Sequence, residues 1–350
     1  MPHTTVIRSL RRLATLLCLS LVWLLASCRL EPQAEVPGAA NAVYYWRSEL
    51  TLTDAERRFL TQQDVRKVYL HLFDVVRQDG RLMPRATLTV TDTLPRDVKV
   101  IPVVFLAPDV MRDTTGLSAL PQLITRRVRS FMEQNELPRP DELQLDFDWT
   151  RSNQARYFEL LSQMRPGFRR LSATIRLHQL STQAPPVDYG ALMIYNVGRL
   201  TDPDEPCSIL NEDVLEPYLR HLKAYPLPLC TALPVYSWDL LFHQDKFRCI
   251  LRGVDLRDTA AFSPIDATHF RAIAYQPIPI SDVTTSGSGR IFPGDVVRHE
   301  FVSPQVLARV REQISRLRPS ACRQVILYHL DERQLKQYDH AELQSLYRHR

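Results

Sequence analysis

The chain has 350 residues, of which 45% are hydrophobic and 24% are charged, and these values exclude a disordered, collagenous or multi-span membrane protein. Glycine is scarce, at 10 residues against 25 prolines, so a phosphate-binding loop built from glycines is not expected. The formal net charge is +5, but residues 1–27 hold three arginines and no acid. The rest of the chain is close to neutral, which argues against nucleic-acid binding.

The N-terminal segment has the pattern of a secretory signal. Arg8, Arg11 and Arg12 precede an apolar run, Leu13 to Leu25, that is shorter than the ~20 residues of a membrane span. The next residues, Ala26-Ser27-Cys28, complete a segment that resembles a bacterial lipobox. The resemblance implies a signal peptide over 1–27, an acyl chain such as palmitate on Cys28, a tether over 28–41, and attachment to a membrane of the bacterial cell envelope, with the outer membrane expected. An uncleaved N-terminal anchor is the alternative.

After residue 41, β-branched and aromatic runs alternate with amphipathic segments, which indicates an α/β protein with parallel strands. Eight strands are predicted, at 42–47, 67–75, 98–106, 142–149, 169–177, 190–197, 230–238 and 324–330. Helices are predicted at 54–63, 118–135, 152–165, 211–222 and 304–318. Capping signals at Thr53 and Ser303 support the first and last of these helices. Eight alternating strands predict a single-domain (β/α)8 TIM barrel over 42–350.

The segment 239–300 is too long for an ordinary connection between strands seven and eight. We expect it to be an insertion with a small hairpin over the C-terminal face of the barrel.

Four cysteines remain after the signal segment and Cys28 are set aside: Cys207, Cys230, Cys249 and Cys322. They are either buried thiols or disulfides. If disulfides form, the predicted pairs are 230–322 and 207–249, because each pair lies at one end of the barrel. No CxxC spacing occurs, so no metal site is expected.

Catalytic residues of such barrels lie at the carboxyl ends of the strands. The carboxylates predicted there are Asp74, Asp146, Asp148, Asp239 and Asp331. The other candidate site residues are Trp46, Trp149, Arg176, Tyr195, Asn196, Tyr236, Trp238 and Tyr328. Carboxylates, aromatic rings and one arginine at one rim are typical of a sugar-binding cleft, and packing in the core is the equal alternative for Trp46, Trp149 and Trp238. Asp146 and Asp148 are two residues apart and are expected on one side of the strand, either as catalytic groups or as structural partners of Arg176.

Three segments resemble signature elements of family 18 glycoside hydrolases, the chitinase group. They are LDFDWT at 145–150, MIYN at 193–196 and ALPVY at 232–236, and they occur in the family's order. The resemblance implies that Asp148 orients the acetamido group of a substrate with Asp146 behind it. It also implies that Tyr195 and Asn196 contact the same sugar ring.

The chain departs from that family in three places. The general acid of the family falls on Thr150, and the first aspartate falls on Leu143. The family's Ser-x-Gly-Gly element at strand three is replaced by VFLA at 104–107. A threonine cannot protonate a glycosidic oxygen at neutral pH, so a hydrolase needs a replacement acid, for which Asp74, Asp239 and Asp331 are candidates. The chain, with HLFDV at 71–75 and SATIRLHQL at 172–180, also resembles a group of bacterial lipoproteins with glycosidase-like barrels.

Three functions remain open from the sequence. The first is a glycoside hydrolase, and the second is a non-catalytic glycan-binding lipoprotein that stacks sugars on Trp149, Trp238 and Tyr195. The third is an envelope-assembly lipoprotein whose insertion binds another protein. The sequence contains no GxGxxG, P-loop or HExxH motif, so neither a nucleotide nor another cofactor is expected.

Overall fold

The computed structural model describes residues 34–277 and 289–348. The segments predicted as the signal peptide and as the first part of the tether, together with Cys28, lie outside the described residues. Within these ranges, no helix combines the length and the apolar character needed to cross a membrane.

Eight parallel strands close into a barrel, which confirms the predicted fold class. In chain order, the strands of the barrel region are β1 (Ala42–Tyr45), β2 (Glu49–Leu50), β3 (Lys67–Gln78), β4 (Arg81–Arg85), β5 (Thr89–Val90), β6 (Lys99–Leu106), β7 (Glu142–Asp146), β8 (Arg170–Ile175), β9 (Tyr189–Met193) and β10 (Leu229–Pro234). The eighth barrel strand, Val325–Tyr328, pairs with β10 and with β1, and β1 also pairs with β3, so the sheet has no open edge between first and last strands.

Helices cover the outside of the barrel. They are α1 (Asp54–Gln62), α2 (Leu120–Gln134), α3 (Gln154–Met164), α4 (Glu212–Leu219), α5 (Pro304–Leu317), α6 (Glu332–Leu335) and α7 (His340–Tyr347). The predicted capping box is present, since Thr53 accepts from the Glu56 N–H while the Glu56 side chain accepts from the Thr53 N–H. Two connections differ from the ideal barrel. The antiparallel strand β4 follows β3 in place of a helix, and only a short 3-10 turn, Leu177–Ser181, follows β8.

The insertion is a sheet of its own rather than a small hairpin. Its strands are β11 (Ser237–His243), β12 (Lys246–Leu251), β13 (Phe262–Pro264), β14 (His269–Ala272), β15 (Gln276–Pro277), β16 (Arg290–Ile291) and β17 (Val296–Phe301). The antiparallel order is β12-β11-β17-β14-β13. Its strands bury a separate small core that includes Leu241, Cys249, Phe262 and Val297. A five-stranded sheet can form here because it has an apolar face to bury, which a lone hairpin lacks. The eighth barrel strand, Val325–Tyr328, is β18.

Polar side chains fill the lower end of the barrel, where the strands begin. The Lys67 ammonium donates to the Gln324 amide oxygen at 2.6 Å, and the Gln324 amide nitrogen donates to the Tyr69 hydroxyl at 2.8 Å. The Tyr69 and Tyr189 hydroxyls are 2.6 Å apart, and Tyr189 donates to the Glu142 carboxylate. These groups are buried and satisfy one another across the barrel. The candidate site is therefore expected at the other end.

The cysteines do not form the predicted disulfides. Cys207, Cys230 and Cys249 are free thiols, and the Cys322 thiol donates to a backbone carbonyl at 3.7 Å. Burial raises the pKa of Cys230 to about 12, so its thiolate is not formed at neutral pH. Of the two alternatives offered by the sequence, thiols and disulfides, the structure agrees with thiols.

Candidate functional site

A buried ion pair lies at the upper end of the barrel. Asp146, the last residue of β7, is 4% exposed, and it accepts from the Thr174 hydroxyl at 2.6 Å and from Arg176 Nη2 at 3.0 Å. Burial is the largest single effect and disfavours the charge of Arg176, but Asp146 together with smaller contributions from Tyr195, Asp148 and Tyr44 holds the Arg176 pKa above its ordinary value. The two residues form a buried ion pair, which is the structural alternative that the sequence left open. Asp146 is therefore held in place as a hydrogen-bond acceptor.

Asp148 and Thr150 lie beyond the end of β7. β7 ends at Asp146, three residues before the predicted end, so the two aspartates do not share one surface. The Asp148 side chain is 52% exposed, 3.2 Å from the Gln179 amide nitrogen and 3.3 Å from the His178 ring. Thr150 is exposed in the turn before α3, where its backbone N–H donates to Asn153. Asp148 is therefore accessible to a ligand, and Thr150 supplies no acid.

Trp149 lies in the core, and the expectation that it stacks on a sugar is wrong. Its side chain is 1% exposed. Its ring is stacked on Tyr157 of α3 at 5.4 Å between centroids and meets Phe158 edge-on at 5.9 Å. The indole thus faces the helix layer. The sequence held a signal for this, because side chains at alternate positions of a strand point to the same side. Trp149 is at alternate positions with Leu145 and Phe147, which are also buried.

Tyr328, at the end of β18, is the centre of an aromatic cluster. Its ring centroid lies 5.0 Å from Tyr195, 5.6 Å from Tyr236, 5.7 Å from Tyr44 and 6.0 Å from Trp46. Tyr328 and Trp46 are partly exposed, whereas the other three rings are buried. The cluster offers aromatic surface at the mouth of the barrel. Sequence reasoning omitted Tyr44, although it begins the same YYW run as Trp46.

The charge of the ion pair acts on these rings. Burial raises the pKa of Tyr195, Tyr328 and Tyr44, with Asp146 adding to each increase and Arg176 opposing it. The tyrosines are therefore neutral hydroxyls around the Asp146–Arg176 pair. Tyr44 donates to the Gln144 amide oxygen and Tyr195 donates to the Met193 sulfur. Tyr328, which has no hydrogen bond within the described residues, can donate one to a neutral polar ligand.

Trp238 forms another wall of the mouth. It is partly exposed, its ring lies 5.4 Å from Tyr236, and its indole N–H donates to Glu300 at 2.8 Å. The Tyr236 hydroxyl donates to the side-chain oxygen of Asn196 at 2.7 Å. Glu300 also pairs with Arg298 at 2.8 Å, and both side chains are fully buried. Glu300 and Arg298 were not among the predicted site residues.

The remaining candidate acids are already bound. Asp331 is the N-cap of α6, where it accepts from two backbone N–H groups, so it has a structural role. Asp239 lies 2.7 Å from His299 within the insertion. Asp74 lies 2.8 Å from Nε2 of His71, a residue not predicted for the site, and the His71 ring stacks on Trp46 at 4.3 Å.

The structure thus brings Asp146, Arg176, Tyr195, Tyr236 and Trp238 together around Tyr328 and moves Trp149 away from them. Over residues 34–277 and 289–348, no three or more His, Cys, Asp and Glu side chains are grouped in a way that could hold a metal ion.

No protein-family model and no curated protein matches the sequence. Among solved structures, the chain is similar to a family 18 chitinase from Cycas revoluta in complex with (GlcNAc)3, with a TM-score of 0.51, 10% identity, and 88% of this chain and 98% of that chain covered. A mutant class V chitinase from the same plant, also in complex with (GlcNAc)3, gives the same values. The spore cortex-lytic enzyme SleL of Bacillus cereus has a TM-score of 0.47 at 13% identity, over 83% and 70% of the two chains. At 10% identity, the similarity to the chitinase shows a shared TIM-barrel fold.

Proposed function

We propose that the chain binds a glycan at the barrel mouth and does not hydrolyse it by chitinase-type chemistry. The observation that supports this proposal is the aromatic cluster around Tyr328, which lies against the Asp146–Arg176 ion pair. Sugar rings present C–H groups to aromatic faces and hydroxyls to charged or polar groups, so rings beside an ion pair suit both parts of a sugar. Trp46 and Trp238 provide the partly exposed indoles.

The hydrogen bonds of the carboxylates argue against the chitinase reaction. A general acid must bring a protonated carboxyl group to the leaving oxygen, and this step contributes about 10²–10⁴-fold to the rate. Thr150 stands at the position implied for that acid. Asp146 is held by Arg176 and Thr174, and Asp331 caps a helix. None of these three groups is available as a proton donor.

An N-acetylated sugar is the ligand that the site suits best. The chitinase of similar fold is in complex with (GlcNAc)3. In this chain Asp148, at the position implied to orient an acetamido group, is half exposed and can accept a hydrogen bond from an amide N–H. We therefore propose N-acetylglucosamine-containing glycans as the ligand class.

One observation favours hydrolysis as a second candidate. Asp74 and His71 form a hydrogen-bonded pair next to Trp46, and such a pair can move a proton. Hydrolysis through this pair predicts measurable turnover that is lost in Asp74→Asn.

The test is a glycan array together with a panel of reporter glycosides, applied to the full chain purified in detergent. We expect binding to N-acetylglucosamine oligomers without turnover, and weaker binding in Trp238→Ala. The matched control is Phe292→Ala, which removes a 40% exposed aromatic ring from the insertion and is expected to leave binding unchanged. Chitinase turnover by the unmodified protein, or equal binding by all three proteins, would contradict the proposal.

The cellular location is a separate proposal that rests on the sequence. We propose that the chain is exported and that a lipid on Cys28 anchors it to the cell envelope, because Leu25-Ala26-Ser27-Cys28 resembles a lipobox.

A further inference from the structure

The insertion brings an arginine to one side of the barrel mouth. Asp239 and Leu251 form the end pair of the antiparallel ladder of β11 and β12. Arg252 directly follows Leu251 in the chain, and Trp238 directly precedes Asp239, so both residues lie at this end of the ladder. The charge of Arg252 also acts on Tyr328 and His329 at the end of β18. Two different parts of the fold, the insertion ladder and the last barrel strand, therefore locate Arg252 at the same side of the mouth.

Arg252 differs from the other arginines near the mouth. Arg176 pairs with Asp146, Arg298 pairs with Glu300, and a third, Arg47, pairs with Glu56. Arg252 is exposed and, in the part of the chain that the structure describes, takes part in no hydrogen bond or ion pair. A guanidinium group in this condition can bind a carboxylate through two parallel hydrogen bonds.

The carboxylates on the same side do not compete for Arg252. Asp331 accepts from the backbone N–H groups of Arg333 and Gln334. Asp239 is bound to His299 at 2.7 Å. The exposed carboxylate of the mouth, Asp148, follows β7 on another wall of the barrel. The mouth therefore has an acceptor on one side and an unpaired positive charge on the other.

We propose that the glycan carries a carboxylate and that Arg252 binds it. The inference rests on the proposed glycan binding and narrows it to an acidic glycan of N-acetylated amino sugars. The ligand lies with an acetamido group near Asp148 and its carboxylate near β18. Two sources share this chemistry, a lactyl ether on an amino sugar and the C6 carboxylate of a uronic acid.

The experiment compares three tetrasaccharides by titration calorimetry with the full chain in detergent. The first is neutral chitotetraose, the second carries lactyl ethers on alternate N-acetylglucosamine residues, and the third alternates N-acetylglucosamine with glucuronate. We expect at least one acidic ligand to bind about 3- to 5-fold more tightly than chitotetraose at low salt, and the preferred acidic ligand identifies the source of the carboxylate.

We expect Arg252→Gln to lose the preference for the acidic ligand and Arg252→Glu to reverse it. Both variants are expected to bind chitotetraose still. Arg271→Gln, which removes an exposed arginine from β14 of the same insertion, is the matched control and is expected to keep the preference. Equal affinity for all three ligands in the unmodified protein, or an unchanged preference in Arg252→Gln, would overturn the proposed role of Arg252 but not the glycan-binding proposal. Absence of binding to all three would overturn the glycan-binding proposal as well.

Discussion

Replacement of Trp149 tests whether this residue belongs to the core or to the ligand site. Its indole lies between the barrel strand β7 and helix α3, in contact with Tyr157 and Phe158, and is 1% exposed. Trp149→Ala therefore removes buried apolar surface and leaves a cavity. We expect the variant to be destabilised but, wherever it is folded, to bind glycan as the unmodified protein does.

The magnitude follows from the burial. A buried aromatic side chain removes about 150–250 Å² from water, which at ~25 cal/mol per Å² corresponds to ~4–6 kcal/mol. Alanine keeps the Cβ atom, and the unfolded chain already buries part of this surface, so we expect a loss of about 3–5 kcal/mol in the free energy of unfolding. Trp149→Phe should lose only ~1–2 kcal/mol, because the indole N–H has no hydrogen-bond partner among the described residues.

The assay is urea unfolding monitored by circular dichroism. If the free energy of unfolding falls with urea concentration at the same slope in the variant and in the unmodified protein, a change in the midpoint reports a change in stability. Glycan titration is carried out on the same samples in the absence of urea. Trp238→Ala provides the opposite pattern, with lost affinity and a smaller shift in midpoint. An unchanged midpoint together with lost glycan binding in Trp149→Ala would refute the packing argument.

Three further predictions concern Asp148, His329 and Cys28. Asp148→Asn should weaken glycan binding in the same titration and leave the urea midpoint unchanged, because the side chain is half exposed; unaltered affinity would move the acetamido contact elsewhere. Burial lowers the pKa of His329 to about 4, below its ordinary 6.5, so its contribution to stability is full above about pH 6.5 and is lost as the pH falls towards 4. His329→Gln should therefore flatten the decrease in the urea midpoint between pH 6.5 and 4, and an identical decrease in both proteins would count against this assignment. Cys28→Ser should move the protein from the membrane to the soluble fraction, and continued sedimentation with membranes would favour an uncleaved N-terminal anchor.

The barrel was predictable because each of its strands carries a strong local pattern. β6 reads KVIPVVFL and β18 reads VILY, which are near-continuous apolar runs of the kind found when helices cover one face and packed side chains fill the other. The ion pair between Asp146 and Arg176 was left open as an alternative, since both residues fall at strand ends. The expectation that Asp148 lies on the same side as Asp146 was wrong because β7 ends at Asp146. The sugar-stacking role of Trp149 was wrong because Trp149 alternates with Leu145 and Phe147 into the core.

Other parts of the site depend on contacts between distant segments. Glu300 accepts from the backbone N–H of Ser208, 92 residues earlier in the chain, and from the indole of Trp238. No local pattern shows that these three segments meet, so only the burial of Glu300 in the folded chain reveals its role. The capping role of Asp331 is a local contact with Arg333 and Gln334, and it was missed because a four-residue helix such as α6 gives little periodic signal.

The two ends of the insertion lie next to each other, which allows the insertion to be removed or exchanged by engineering. Its first and last residues, Ser237 and Phe301, are direct partners in the β11–β17 ladder, so they lie about 5 Å apart. A module with adjacent ends can be removed, or exchanged for a tight turn, without pulling β10 away from α5. Such a minimal chain would lack Arg298 and Glu300, which hold the 202–209 loop. The barrel would keep its strand order, but the mouth would lose the wall that contains Trp238, so an exchanged insertion would give the same barrel a mouth of different shape.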